Sequence, residues 1–156
     1  MTHTDFRDLA HSPDQLAGVT PEQFAGLVKN ASRSDLNDLM ADAQARTNVL
    51  AAIFDRMGSQ YKGGREPAQV VHWKIQRASD GGEDVYETVL GTTECVVPAA
   101  PEQTPDVTLT LSGQDFLKLA SGNAAPPMLF LTGKLKIGGD VGLAAALGNL
   151  FDIPKA

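Results

Sequence analysis

With 156 residues, 42% of them hydrophobic and 21% charged, the chain holds material for one domain with a sizeable core, and wholesale disorder is excluded. Thirteen Lys and Arg face nineteen Asp and Glu, giving a formal charge of −6 that is shared by both halves (residues 1–66 and 67–156). That balance provides no basic footprint for nucleic acid or for charge-driven attachment to an anionic membrane. Cys95 is the only cysteine, so neither an intramolecular disulfide nor a thiolate zinc cage can form, which fits a reducing cytosol. The polar stretch Met1–Asp8 lacks a secretory apolar run. Val141–Phe151 is too short to span a bilayer and is broken by Gly142, Gly148 and Asn149. The expectation is a cytoplasmic protein without stable membrane insertion.

Residues 1–19, His3 and His11 among them, read as a loosely ordered lead-in. Thr20-Pro-Glu-Gln23 then pairs a cap, a proline at the first helical position and a reciprocal Gln, opening a helix that carries Phe24, Leu27 and Val28. Ser32 or Ser34 caps a second helix bearing Leu36, Leu39, Met40 and Ala43. A third carries the amphipathic stripe Val49, Leu50, Ile53, Phe54 and Met57. Gly58, then Lys62-Gly-Gly64 and Pro67, close this helical third.

After Pro67 the period falls to two. Val71, Trp73 and Ile75 alternate with His72, Lys74 and Gln76, predicting a half-buried strand. Ser79-Asp-Gly-Gly82 signals a hairpin into a strand over Val85–Leu90, and Glu94–Val97 reads as a short third. Three prolines between Pro98 and Pro105 demand a loop or crossover. Val107, Leu109 and Leu111 form a fourth strand. Ser112 and Asp115 open a short helix with Phe116, Leu117, Leu119 and Ala120, ended by Gly122 and Asn123. Leu135 and Ile137 make a fifth strand, its Lys134 and Lys136 turned the other way. Asp140 caps a last helix with Leu143, Leu147, Leu150 and Phe151 on one face, and Pro154 stops it.

No catalytic constellation stands out. His72 has no second His or Cys at ligand spacing and reads as structural or solvent-facing. Cys95 lies in an apolar strand and reads as an inert thiol. No Gly-x-Ser-x-Gly occurs, and Gly138, Gly139 and Gly142 lack the spacing of a dinucleotide loop. Glu83 and Asp84 read as solvated turn residues, and Asp140 as a cap rather than an acid or base. One oddity remains: Met128, Leu129, Phe130 and Leu131 follow a Pro pair directly. They belong either to the core or to the wall of an apolar cavity.

The stretch from Met128 to Leu150 resembles the C-terminal signature of the sterol carrier protein type 2 domain: an apolar run, then Gly133-Lys-Leu-Lys-Ile137, then Gly138, a polar cap at Asp140 and a helix with Leu143, Ala144, Leu147 and Leu150. Pro105–Leu111 with Ser112, Asp115, Phe116, Leu119 and Gly122 resembles the strand and helix before it. The likeness runs over about residues 50–152, and the first fifty resemble the helical extension of bacterial relatives.

That resemblance implies an α/β (α+β) fold, a mixed five-stranded sheet with helices on one face enclosing an apolar tunnel. It divides the chain into a lead-in (1–19), a helical extension (20–48) and a lipid-binding domain (49–154). It implies non-catalytic binding, and transfer, of a fatty acyl chain, acyl-CoA, sterol or phospholipid, with no metal and no cofactor. The tunnel lining then draws on Trp73, Ile75, Leu109, Leu111, Phe116, Leu119, Met128, Phe130, Leu135, Ile137, Leu143, Leu147, Leu150 and Phe151. Lys134 and Lys136 read as solvated, with an acidic headgroup or CoA phosphate as their functional alternative. The alternative for the whole chain is a structural or dimerisation module that assists a lipid-handling enzyme, its cavity filled by Trp73, Phe116 and Phe130. A homodimer stays open under either reading.

Overall fold

In the computed structural model, residues 6–64, 67–77 and 80–151 are described; the expectations for His3, Ser79 and Pro154 fall outside them. Among the described residues the order is α1 (Phe6–Ala10), α2 (Pro13–Ala17), α3 (Pro21–Asn30), α4 (Arg33–Ala41), α5 (Ala43–Gln60), β1 (Gln69–Gln76), β2 (Glu83–Leu90), β3 (Cys95–Val96), β4 (Val107–Ser112), α6 (Gly113–Ala120), α7 (Pro126–Leu131), β5 (Leu135–Gly139) and α8 (Val141–Leu150).

Local chemistry sets the helix starts. The Thr20 hydroxyl accepts from Gln23 N–H at 3.1 Å, and Gln23 Oε1 accepts from Thr20 N–H at 2.9 Å, which completes the capping box. Ser32 and Asp35 form a second box on α4. Asp42 caps α5, so Ala43 begins the third long helix rather than ending the second. Ser112 and Asp140 cap α6 and α8 by accepting from Asp115 and Leu143 N–H.

Two sequence expectations are corrected here. The lead-in expected to be loose contains α1 and α2, which bury Phe6, Ala10 and Leu16. The Phe6 ring meets Phe24 edge-on, centroids 5.9 Å apart. Helices of five residues are too short to show a 3.6-residue period, and packing rather than propensity holds them. The boundary expected between residues 48 and 49 falls inside α5, which is continuous.

The sheet is five-stranded and mixed, in the order β3-β2-β1-β4-β5. β1 runs parallel to β4, and the pairs β1–β2, β2–β3 and β4–β5 are antiparallel. Register aligns Val71, Trp73 and Ile75 with Val107, Leu109 and Leu111, so one face becomes continuously apolar and buries itself under the helices. At its centre the Phe54 ring stacks on Tyr86 and Phe116, at 4.3 and 5.4 Å between centroids, with Trp73 edge-on at 6.2 Å.

Asp106 ties one end of the sheet together. Its carboxylate accepts from Val70 N–H at 2.7 Å, and its carbonyl accepts from Asp140 N–H at 2.9 Å. Gly139 lies against this knot at φ +93°, where a Cβ would stand 2.5 Å from the Asp106 carbonyl oxygen. Gly139→Ala is therefore expected to cost about 2 kcal/mol, through both the left-handed backbone and the clash. Urea unfolding would show this as a shift in midpoint, and an unchanged midpoint would mean β5 can move away freely.

Candidate functional site

Between the helix-covered face of the sheet and its helices lies a cavity of about 380 Å³, inside the range of roughly 300–1,000 Å³ usual for small-molecule sites. Its floor is Trp73 of β1, Leu109 of β4 and Leu135 of β5. Phe116, Leu119 and Ala120 of α6 form one wall. Ile53, Arg56, Met57 and Gln60 of α5 form another, with Pro21 and Phe24 of α3 beside them. The loop Ser121–Ala125, Pro126 of α7, Leu147 of α8 and Phe151 complete the lining.

Half of the sequence-derived lining residues are brought together there: Trp73, Leu109, Phe116, Leu119, Leu135, Leu147 and Phe151. Ile75, Leu111 and Leu143 are instead buried within the solid core, while Ile137 and Leu150 pack at its margin. Met128 and Phe130 are corrected outright, being 60% and 49% exposed on the outside of α7. In the run Met128–Leu131 the inward residue is Leu129. Phe130 therefore cannot fill the cavity, and Trp73 and Phe116 line it without closing it.

Sequence reading missed the contribution of α3 and α5. Phe24, Ile53 and Met57 were legible as apolar stripes, but nothing in a stripe says whether it meets protein or empty space. Arg56 carried no signal at all. It sits half-buried in the cavity wall, donating to the carbonyls of Leu16 (2.6 Å) and Val19, with its guanidinium 5.9 Å from the centroid of the Phe24 ring. Among the described residues no carboxylate lies within ion-pair distance of it. Burial lowers its pKa from the ordinary arginine value, against the neighbouring charge of Asp55.

Opposite, Gly122 at φ +78° ends α6 and turns the chain back. Asn123 N–H then donates to Lys118 O at 2.9 Å, and its side-chain amide donates to Ala25 O at 3.1 Å and Ser121 Oγ at 2.8 Å. The cavity thus has an apolar body and a few polar groups, Arg56 the charged one.

Groups weighed for chemistry lie elsewhere. Burial pushes the Cys95 thiol up to about 11, so it stays protonated near neutral pH. His72 Nε2 lies 2.9 Å from Glu87 Oε1 on the opposite face of the sheet. Asp84 is not the solvated turn residue expected: its Oδ1 accepts from Arg77 Nη1 at 2.7 Å and its Oδ2 stands in an ion pair 2.9 Å from Arg46 Nε, within a charge network. Among the described residues no cluster of three His, Cys, Asp or Glu has metal-site geometry, and no helix is long and apolar enough to cross a membrane.

The sequence pattern of the SCP-2 sterol transfer family matches residues 66–152. The chain is 42% identical over 133 residues to hydroxysteroid dehydrogenase-like protein 2 of Rattus norvegicus, covering 85% of this chain and 21% of that protein. The human protein of that name is 27% identical over 134 residues, covering 86% and 27% respectively. The chain thus spans about a quarter of the length of these curated relatives. Among solved structures, the crystal structure of sterol carrier protein 2-like 2 from Aedes aegypti superposes with a TM-score of 0.52 at 24% identity, covering 68% of this chain and 95% of that one. The solution structure of the palmitated form of that protein gives 0.50 at 24% identity, covering 62% and 88%. Both share the fold.

Proposed function

The chain belongs to the SCP-2 sterol transfer family, whose domains bind or transfer lipids without catalysis, and on that footing we propose that its cavity takes up an acyl-chain lipid with the anionic head at Arg56. The observation that carries this is the cavity: an apolar body of about 380 Å³ with an arginine in its wall that no described carboxylate approaches to ion-pair distance. Moving a methylene from water into such a space gains about 0.8 kcal/mol. A chain of about sixteen carbons gains roughly 10 kcal/mol before ordering costs are subtracted. The palmitated structure of the fold neighbour supports an acyl chain as ligand. Arg56, tethered by the Leu16 and Val19 carbonyls, keeps further donors for a carboxylate or phosphate. The open space speaks against the filled-core alternative.

α8 is the wall that moves in this proposal. Gly138 and Gly139 precede it and Gly142 and Gly148 lie within it. Each interior glycine lowers helix stability by about 1 kcal/mol, and a door must come from the least stable part of a structure.

Native mass spectrometry of the purified protein, followed by organic extraction and lipid identification, tests the proposal. The expected result is a stoichiometric adduct of acyl-lipid mass, or stoichiometric uptake of added palmitate by protein that arrives empty. Failure to take up any acyl chain would overturn it. Arg56→Met is expected to weaken palmitate about tenfold while leaving hexadecanol, which lacks the charge, within about twofold. Equal losses for both ligands would place the head group elsewhere.

A further inference from the structure

Helix α7 is apolar on every side, yet only one side is covered. Leu129 points inward at 4% exposure, whereas Met128, Phe130 and Leu131 are 60%, 49% and 78% exposed. At about 100° per residue those three occupy the arc opposite Leu129. A helix apolar all round belongs where apolar material lies on all sides, and large apolar side chains grouped on a surface mark a site of interaction.

The charge around α7 says what that material is. Residues 116–139 contain Lys118, Lys134 and Lys136 and no acidic residue, in a chain of net charge −6. Lys134 and Lys136 are exposed, and Lys134 N–H donates to Leu129 O at 2.9 Å, which fixes this lysine beside the helix. The chain-wide balance, which spoke against charge-driven membrane binding, averages this local excess away. Ala124 and Ala125, which lead into α7, and Pro126, its first residue, also line the cavity.

We propose that α7 is a membrane-docking element for an anionic bilayer. Met128, Phe130 and Leu131 enter the interfacial layer, and Lys134 and Lys136 meet the headgroups. The cavity wall at 124–126 is thereby set against the surface that supplies or receives the ligand; that last step rests on the lipid-binding proposal, whereas docking does not. A second copy of the chain fits less well, because a two-fold contact through α7 sets Lys134 and Lys136 against their own counterparts.

The test mixes the protein with vesicles of phosphatidylcholine alone, or of phosphatidylcholine with phosphatidylglycerol, and reads the bound fraction by flotation. Binding is expected on the anionic vesicles, weakened by salt, and at least about tenfold lower on the neutral ones. Leu131→Asp is expected to lower it about tenfold or more, and the pair Lys134→Glu and Lys136→Glu by a similar factor. Palmitate uptake measured without vesicles stays at the wild-type level in both variants, because none of these side chains lines the cavity. Loss of docking with retained uptake is thus separate from any failure of the ligand proposal. Leu131 is exposed, so the aspartate variant is expected to fold; should its melting temperature fall, Leu131→Ser serves in its place. Undiminished flotation of the Leu131 variant, equal binding to neutral vesicles, or an α7-dependent dimer in sedimentation velocity would each overturn the proposal.

Discussion

Leu147→Glu is expected to lower acyl-chain affinity by at least about a hundredfold while the sheet remains folded. Leu147 is buried on α8 and lines the cavity that also receives Trp73, Leu109 and Leu135. In the empty protein the new carboxylate can draw water into the cavity and stay ionised. A hydrocarbon chain entering must strip that water away, and burying an unpaired carboxylate costs several kcal/mol, more than the few methylenes in contact there return. Val141→Glu supplies the control, placing the same charge at the exposed first turn of the same helix, where it meets the favourable end of the helix dipole. Titration with palmitate would separate the two variants, and circular dichroism would establish that both retain the fold. A folded Leu147→Glu protein that binds palmitate at wild-type affinity would remove α8 from the site.

Why the sequence could name Leu147 but not separate it from Leu143 shows where pattern reading stops. The strands were legible because one face of the sheet is buried and side chains alternate strictly, so Trp73 and Ile75, or Leu109 and Leu111, were assigned correctly to the apolar face. Trp73 and Leu109 reach the cavity, while Ile75 and Leu111, two residues further along the same strands, are sealed in solid core. All four are core-type residues on one face. What differs is whether packed side chains or open space lie above each position, which is decided by elements distant in sequence. The same limit explains Met128 and Phe130: an apolar run after two prolines reads inward by default, because hydropathy does not record that a six-residue helix can bury only one side. α3 to α6 announced themselves through caps and periodicity, whereas α1 and α2 left only Ser12-Pro13 as a start signal. Arg56 was invisible because its importance lies in the space it faces and in the carbonyls that hold it.

Glu87→Ala is expected to cost about 2–4 kcal/mol of stability, although the residue lies on the sheet face away from the cavity. Glu87 is 1% exposed. Its Oε1 accepts from the backbone N–H of Gln103 at 2.9 Å and of Glu102 at 3.2 Å, and lies 2.9 Å from His72 Nε2. This one oxygen therefore pins the proline-rich crossover onto the sheet and holds the route by which β4 comes to lie parallel to β1. Truncation leaves two backbone donors and a half-buried imidazole without their acceptor. The pH dependence follows from the same contacts. Burial, the largest single influence, pushes the Glu87 pKa up, but the hydrogen bonds from Gln103, His72 and Glu102, with the charge interaction of His72, outweigh it and hold the carboxyl below its ordinary value of 4.5. A carboxyl whose folded pKa is depressed contributes stability that is fully present above the unfolded value and is lost as pH falls through the folded one. The stability gap between wild type and Glu87→Gln, which keeps the acceptor but cannot ionise, should therefore be open above the ordinary carboxyl value of 4.5 and shrink as the pH falls below it. Urea unfolding of both proteins across that range reads the gap directly. A gap independent of pH would show that the carboxylate charge contributes nothing and that Glu87 serves only as a neutral acceptor. Because β1 and β4 carry Trp73 and Leu109, loosening this clasp should also blur the cavity floor, so Glu87→Ala is expected to weaken palmitate binding without touching the ligand.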